Sequence, residues 1–188
     1  FVMEKNRGEI ALLGVGESSD AHHLTAPDPE GRGAEASMRM ALEDAGLAPG
    51  DIVYVNLHGT GTVQNDKMES LALWRVFGDG PVCSSSKPMI GHALGAAGAL
   101  ESALCYLMLK NGGAVLPHPL TAPRDGSLPS LRLAGVGGKY VPGPVLSNSF
   151  AFGGSNASVI LGAPEVADIL PHDPPMVLIS SFDPASFS

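Results

Sequence analysis

The chain has 188 residues, which suits a single domain with a sizeable buried core. Its formal net charge is −8 and its 11 lysines and arginines form no cluster, so the attraction that drives nucleic-acid binding is absent. The longest apolar stretch, at 93–109, contains Glu101 and Ser102 and is short for a membrane span, and no signal peptide is visible. We therefore expect neither a nucleic-acid partner nor a membrane partner.

The cysteine content indicates a reducing, cytoplasmic setting. Cys83 and Cys105 are the only two cysteines, and their spacing fits neither a metal site nor a disulfide framework. Cys83 ends a short apolar run and Cys105 stands between Leu104 and Tyr106, which is typical of small buried hydrophobic side chains. We expect no bound metal.

The first part of the chain alternates apolar runs with helical periodicity. An apolar run at 9–16 predicts a strand, and a loop rich in proline, glycine and aspartate follows at 18–33. Apolar residues recur at steps of three and four over 34–45, which predicts a helix. The next strand, at 52–57, runs directly into His58.

A second alternation follows. Asn65 or Asp66 is a suitable N-cap for a helix that ends before Gly78. A short buried strand at 81–85 leads to a third helix at 91–110, whose first turns are rich in glycine and alanine. Small side chains permit close backbone approach, so we expect this helix to be buried and to run through the centre of the molecule.

The pattern changes after the third helix. A proline-rich connection occupies 116–130, and short runs then predict strands at 140–141, 145–146 and 157–161. Strands that alternate with helices indicate an α/β fold in which helices cover a mixed sheet.

Two histidines stand in loops that are typical of active sites. His58 opens the segment HGTGT (58–62) after an apolar strand, and His92 ends SSSKPMIGH (84–92) where the third helix is predicted to begin. Loops held by rigid elements are where sites concentrate. An imidazole at a helix N-terminus tends toward its neutral form, and two neutral imidazoles can polarise one oxygen. Only tertiary folding can bring two such distant residues together.

With the segment NSFAFGGSN (148–156), these loops resemble the C-terminal half of β-ketoacyl-acyl-carrier-protein synthases, the ketosynthases of fatty-acid and polyketide assembly. The resemblance spans about 1–162. It implies a thiolase-like fold and an acyltransferase that condenses malonyl-acyl-carrier-protein with an acyl thioester. In this decarboxylative Claisen reaction, fixed donors stabilise the enolate oxyanion. The substrate would be carried on the phosphopantetheine arm of the carrier protein, the enzyme itself would need no cofactor, and a homo- or heterodimer is expected.

The resemblance also implies roles for ten side chains. The two histidines match a catalytic pair, a lysine orders the site by its charge, and carboxylates support it. The catalytic residues are His58, His92 and Lys87, and the supporting residues are Asp66, Glu69 and Glu101. The residues expected to bind the phosphopantetheine arm or the acyl group are Thr60, Thr62, Phe150 and Phe152, the last as a gate.

Simpler interpretations stay open for five of these residues. Asp66 could be only a helix cap and Lys87 only a solvated loop charge. Thr60 and Thr62 could be turn formers whose hydroxyls bond to the backbone. Phe152 could be an ordinary core residue. For the carboxylate within the apolar third helix we expect a partner, because a buried unpaired charge is costly.

Two features depart from the ketosynthase pattern. Ala151 stands where the family usually has glycine, and a methyl group there restricts the backbone freedom that a gating loop uses. Neither Cys83 nor Cys105 lies in the family's nucleophile motif, although covalent catalysis needs an activated thiolate. We therefore expect an N-terminal half that carries the nucleophile, as a cleaved, separate or partner chain, and a large exposed apolar face on this half.

Two other functions were weighed against this one. A non-catalytic partner similar to the chain-length factors would have no chemical need for the trio His58, His92 and Lys87. A thiolase acting on coenzyme A esters would share the fold, but the HGTGT loop resembles ketosynthases instead.

The end of the chain is assigned separately. The proline-rich residues at 163–188 predict a surface tail or linker beyond the domain at 1–162. Within it, LPHDPPM (170–176) faintly resembles the opening of hotdog-fold hydroxyacyl dehydratases, which would indicate the start of a neighbouring module. No helix with a second catalytic carboxylate follows, and the simpler interpretation of His172 is an exposed loop histidine.

Overall fold

The computed structural model describes residues 2–5, 8–112, 118, 123–135, 143–167 and 177–180. The strands are β1 Val2–Lys5, β2 Ile10–Ser19, β3 Tyr54–Asn56, β4 Val82–Ser84, β5 Arg132–Leu133, β6 Val145–Phe150, β7 Ser155–Gly162 and β8 Val177–Ser180. The helices are α1 Arg32–Ala45, α2 Val63–Phe77, α3 Lys87–Ile90, α4 Ala97–Lys110 and α5 Pro164–Ala167. Short 3-10 turns occur at Pro49–Asp51, Leu94–Ala96 and Phe152–Gly154.

The described strands form one mixed sheet in the order β1-β8-β2-β7-β6-β3-β4-β5. Strands β6, β3, β4 and β5 run parallel to one another, whereas β1, β8, β2, β7 and β6 pair antiparallel. The predicted α/β fold with a mixed sheet is confirmed. The parallel half matters for function because the C-terminal ends of its strands meet at one edge.

Helices cover both faces of the sheet. Neighbouring strand residues alternate between two apolar clusters, as the pleat requires. Val55 and Leu146 pack with residues of α1 and α2, whereas Tyr54 and Val145 pack with residues of α4. The sheet is therefore the middle layer of three, and the two sets of helices lie on opposite sides of it.

Helix α1 approaches β2 closely because two glycines face it. A Cβ on Gly14 would lie 2.4 Å from the carbonyl oxygen of Ala41, and one on Gly16 would lie 1.9 Å from that of Ser37. Any larger residue would push the helix away from the sheet. The buried face of α1 is itself built largely of small residues, with Met38 filling the space between them.

The third predicted helix differs from its expected form. It begins at Ala97 instead of at position 91, and Leu94 and Gly91 before it have φ angles of +49° and +80°, which a continuous helix cannot contain. Residues 91–96 are exposed, and α4 is buried on one face only. The glycine- and alanine-rich segment thus lies at the surface of this chain, not at its centre.

Two smaller differences concern α2 and the end of the chain. Thr62 caps α2 by accepting the Asn65 N–H at 3.3 Å, so the prediction of Asn65 or Asp66 as N-cap was wrong. Strand β8 lies within the segment assigned to a tail, and it pairs with both β1 and β2. The predicted strand at 140–141 and His172 lie outside the described residues. No helix among the described residues is long and apolar enough to cross a membrane.

Candidate active site

Three parallel strands carry the candidate site to one edge of the sheet. Strand β3 leads into His58, β4 leads through residues 84–86 into Lys87, and β6 ends at Phe150. The pairing of β3 and β4 continues past the strands, because Leu57 N–H donates to the carbonyl of Ser84 at 2.8 Å. Binding crevices of parallel sheets form at these carboxyl ends.

The two histidine rings meet at this edge. The centroids of His58 and His92 lie 5.6 Å apart at an interplanar angle of 81°. Phe150 contacts the same His58 ring, with centroids 5.7 Å apart. Folding thus brings together two rings that lie far apart in the sequence.

His58 is held in its neutral form. Its side chain is buried, and this burial lowers its pKa to about 3, with electrostatic interactions with Lys87 and His92 acting in the same direction. A neutral imidazole carries one N–H, so it can donate one hydrogen bond without being a cation.

His92 is oriented by the backbone that follows it. The Leu94 N–H donates to its Nδ1 at 3.2 Å, so in the neutral ring the proton lies on Nε2, which is then a donor. The helix starts only at Ala97, so this hydrogen bond, and not a helix N-terminus directly at His92, sets the tautomer. The side chain itself is exposed.

Lys87 and Glu101 form a buried ion pair between Nζ and Oε1. Only 5% of the Lys87 side chain and 2% of the Glu101 side chain is exposed, so the interpretation of Lys87 as a solvated loop charge was wrong. Burial raises the pKa of Glu101, and the hydrogen bond from Lys87 opposes this rise. The expected partner of the carboxylate in the third helix is therefore the lysine of the preceding loop.

Glu69 holds the backbone of the His58 turn. Its two carboxylate oxygens accept the N–H groups of His58 at 2.7 Å and Gly59 at 2.8 Å, and Asn65 Nδ2 donates to it at 3.2 Å. Burial raises the pKa of Glu69, and these hydrogen bonds lower it. The other carboxylate in this group, Asp66, is half-buried and accepts a hydrogen bond of 3.4 Å from Asn65 Nδ2.

The residues expected at the substrate differ in burial: Thr62 and Phe152 are exposed, Thr60 is half-buried and Phe150 is buried. The hydroxyl oxygens of Thr60 and Thr62 are 3.1 Å apart, and Thr62 also caps α2. Phe152 is 77% exposed, so it is no core residue of this chain, whereas Phe150 is buried against the His58 ring. Ala151 has an extended backbone (φ −117°), a conformation open to any residue, so the turn before Phe152 needs no glycine in the observed state.

Two residues that the sequence analysis did not single out tie the loops together. Ser85 Oγ donates to the carbonyl of Gly59 at 2.9 Å, and the Ser85 N–H donates to Nδ1 of His118 at 3.1 Å. Ser85 lies within the serine run before Lys87, so its loop was identified. His118 stands in the proline-rich connection, and no local pattern marks it.

The described residues supply donors and a cation but no thiolate. Burial raises the pKa of both Cys83 and Cys105 to about 12, which keeps them protonated at neutral pH. Within the described part of the chain, no group of three or more histidine, cysteine, aspartate or glutamate side chains could hold a metal ion. The chemistry available is hydrogen bonding to an oxygen and electrostatic stabilisation of negative charge.

Known proteins share these features. Residues 10–120 match the family described as beta-ketoacyl synthase, C-terminal domain. The 3-oxoacyl-[acyl-carrier-protein] synthase 2 of Coxiella burnetii is 39% identical over 161 residues, which are 80% of this chain and 37% of that protein. The chain thus spans somewhat over a third of this relative.

Solved structures give the same result. A ketosynthase from Xenorhabdus doucetiae, in complex with its chain length factor, is 50% identical with a TM-score of 0.80, over 84% of this chain and 40% of that chain. A type II polyketide ketosynthase in complex with its acyl-carrier protein is 32% identical with a TM-score of 0.75, over 81% of this chain and 38% of that chain. The fold is thus that of the thiolase-like ketosynthases, and the chain belongs to the β-ketoacyl synthase family as a C-terminal domain.

Proposed function

We propose that this chain supplies the oxyanion-stabilising part of a ketosynthase site that condenses malonyl-acyl-carrier-protein with an acyl thioester. The observation that carries the proposal is the meeting of the His58 and His92 rings at 5.6 Å beside a buried lysine. The chain spans only part of its relatives, so the nucleophilic cysteine is assigned to an N-terminal half. This chain together with that half is called the complete ketosynthase below.

The chemistry follows from the donors. When the bond between C2 and the carboxyl carbon of the malonyl group breaks, carbon dioxide leaves and the electron pair moves onto the thioester oxygen. His58 and His92 each present one N–H from a neutral ring to that oxyanion. The enolate C2 then attacks the carbonyl carbon of the acyl group that the cysteine holds as a thioester, a new carbon–carbon bond forms, the carbon–sulfur bond breaks, and the cysteine thiolate departs. Fixed donors in a buried site stabilise such charge strongly because they need no reorganisation.

Lys87 acts without touching the reacting oxygen. Its charge is compensated by Glu101, yet it still lowers the pKa of His58. A histidine kept neutral can donate to an anion without giving its proton away. The lysine is therefore proposed to set the electrostatics of the pair, in agreement with the role that the family resemblance implies.

The proposed partners follow from the family. We propose that an acyl carrier protein delivers the malonyl group on its phosphopantetheine arm past Thr60 and Thr62, with Phe152 at the entrance to the acyl pocket. A second ketosynthase-type subunit is proposed as a dimer partner. One structurally similar ketosynthase was solved with its acyl-carrier protein and another with its chain length factor, which supports both partners.

Site variants of the complete ketosynthase test the proposal. His58→Ala and His92→Ala are each expected to lower the rate of malonyl decarboxylation by about 10²- to 10³-fold. Arg39→Ala, on the exposed face of α1, is the control and should leave the rate unchanged. Condensation by the 188-residue chain alone would contradict the need for a nucleophile-bearing half.

The same assay separates the enzyme from a non-catalytic partner of the chain-length-factor type. A subunit that only shapes a pocket needs neither a neutral histidine pair nor a buried lysine beside it. Turnover that is unchanged in His92→Ala would favour the non-catalytic role.

A further inference from the structure

We propose that His118 is a positioning residue for the condensation: through Ser85 it fixes the spacing between the loop that carries His58 and the loop that carries Lys87. This inference rests on the proposed function of the site. Neither His118 nor Ser85 is assigned a part in the chemistry, and both act through the residues they hold.

Ser85 is the junction of the two loops. Its hydroxyl donates to the carbonyl of Gly59 at 2.9 Å and accepts the N–H of Lys87 at 3.3 Å. The loops also touch closely, because a Cβ on Gly59 would lie 2.5 Å from Cβ of Ser85. One buried hydroxyl thus links the residue after His58 to the backbone of the lysine.

The peptide units on both sides of Gly59 are each held by a hydrogen bond to a different element. Glu69 accepts the N–H of Gly59 at 2.8 Å, and Ser85 donates to the carbonyl of Gly59. Glu69 lies on α2 and Ser85 follows β4, so two separate elements fix this turn. A shift of Ser85 would therefore move the turn that carries His58 relative to Lys87.

The position of Ser85 depends on His118. The acceptor of the Ser85 N–H is Nδ1 of His118, at 3.1 Å. In a regular sheet, the backbone carbonyl of a neighbouring strand would accept this N–H. His118 is fixed in turn, because its own N–H donates to the carbonyl of Ala134 at 3.0 Å. The Ala134 N–H donates to the backbone carbonyl of Cys83 in β4 at 2.8 Å. These hydrogen bonds fix His118 at the edge of the sheet, and its ring in turn fixes the position of the loop that carries Ser85.

Acceptance at Nδ1 requires a neutral ring. Among the described residues, the charged groups that act on His118 are Asp66 from α2 and Arg124 from the connection before β5. Burial lowers the pKa of His118, Asp66 opposes this and Arg124 reinforces it. A proton on Nδ1 would place a donor against the Ser85 N–H. The link is therefore intact at neutral pH and breaks on acidification.

Two substitutions in the complete ketosynthase separate positioning from simple packing. His118→Asn keeps an oxygen, Oδ1, at the position of Nδ1 that can accept the Ser85 N–H, whereas His118→Leu has similar size and no acceptor. His118→Leu is expected to lower kcat of malonyl decarboxylation by about 10- to 100-fold with little change in KM, because small displacements of catalytic groups are costly. His118→Asn is expected to retain most of kcat at neutral pH and to lose an acid limb of the wild-type pH profile.

Amide hydrogen exchange of Ser85 by NMR provides a measurement that needs no activity. Exchange should speed up in His118→Leu and stay slow in His118→Asn. Equal kcat in wild type and His118→Leu would overturn the inference, as would an acid limb that is identical in wild type and His118→Asn. If His118→Leu does not fold, the pH profiles of wild type and His118→Asn still test the inference. A wild-type enzyme without decarboxylation would instead overturn the proposed function, while the exchange experiment would still test the link.

Discussion

The two sides of the candidate site are built differently. On one side, the side chains of His58, Lys87, Glu69 and Glu101 are buried, Lys87 pairs with Glu101, and Glu69 holds the backbone N–H of His58. On the other side, His92 is exposed between two short helical pieces. Among the described residues, the buried polar groups of the candidate site are thus held by contacts within this chain, whereas the ring of His92 is left open.

Several large hydrophobic residues, most of which flank His92 in the chain, are also exposed. They lie in α3, in the turn after it, in α4 and in the turn at Phe152: Met89, Ile90, Leu94, Leu100, Leu107 and Phe152. Contiguous exposed apolar surface is typical of a contact with another protein segment. The comparison indicates that this chain fixes the charged groups of the candidate site. We propose that the nucleophile-bearing half shapes the substrate pocket.

The largest expected effect tests whether the buried side is self-contained. Glu101→Leu leaves the charge of Lys87 buried without its partner and is expected to lower the free energy of unfolding by about 3–5 kcal/mol. Replacing both residues, as Lys87→Met with Glu101→Leu, should restore most of that loss because no charge remains buried. Chemical unfolding of the complete ketosynthase measures both. A double variant as unstable as the single one would show that the pair is not the main partner of either charge.

The pH dependence of stability tests the burial of His58. Its pKa is about 3 in the folded state, below the ordinary value of 6.5, so between these values the unfolded state binds a proton that the folded state does not. The free energy of unfolding should therefore fall as the pH drops from 6.5 toward 3, by about 1.4 kcal/mol per pH unit for this group, and no further below 3. His58→Gln removes this contribution, so its unfolding curves should change less with pH. Equal slopes in wild type and variant would mean that His58 is not buried in the complete ketosynthase.

The smallest effect compares two glycines within one loop. Gly59 (φ +43°) lies against Ser85, whereas Gly61 (φ +74°) has open space where a Cβ would be. Alanine at either position strains a left-handed backbone, but only Gly59→Ala adds a collision, so it should cost about 1–3 kcal/mol more than Gly61→Ala. Thermal unfolding of the two variants measures the difference. Equal losses would mean that the contact with Ser85 is loose.

Much of the fold was predictable because it depends on neighbouring residues. The helix at 34–45 and the strands before His58 and Lys87 follow from apolar periodicity, and their positions are confirmed within a few residues. The third helix shows the limit of such patterns. The apolar run from 91 predicted a continuous helix, but the positive φ angles of Gly91 and Leu94 interrupt its first turns, and apolar periodicity does not record backbone angles.

The candidate residues divide in the same way. Motifs identified His58, His92 and Lys87, because the types and spacing of residues in a loop are properties of the sequence. They could not identify His118, whose part depends on a hydrogen bond to Ser85 across a large separation in the chain. Nor could they decide between a turn-forming and a substrate-binding role for Thr62, which in the structure caps α2 and has an exposed side chain.

The sequence by itself determined the local elements and the chemical groups available: two imidazoles, a lysine, several carboxylates and no activated thiol. The tertiary structure alone decided which of them meet. Parallel pairing of β3 with β4 and β6 brings three loop ends to one edge, and burial then pairs Lys87 with Glu101 and keeps His58 neutral. The ion pair and the neutral histidine depend on distance and on desolvation. Both are set by the order of the strands in the sheet, which local sequence patterns do not predict.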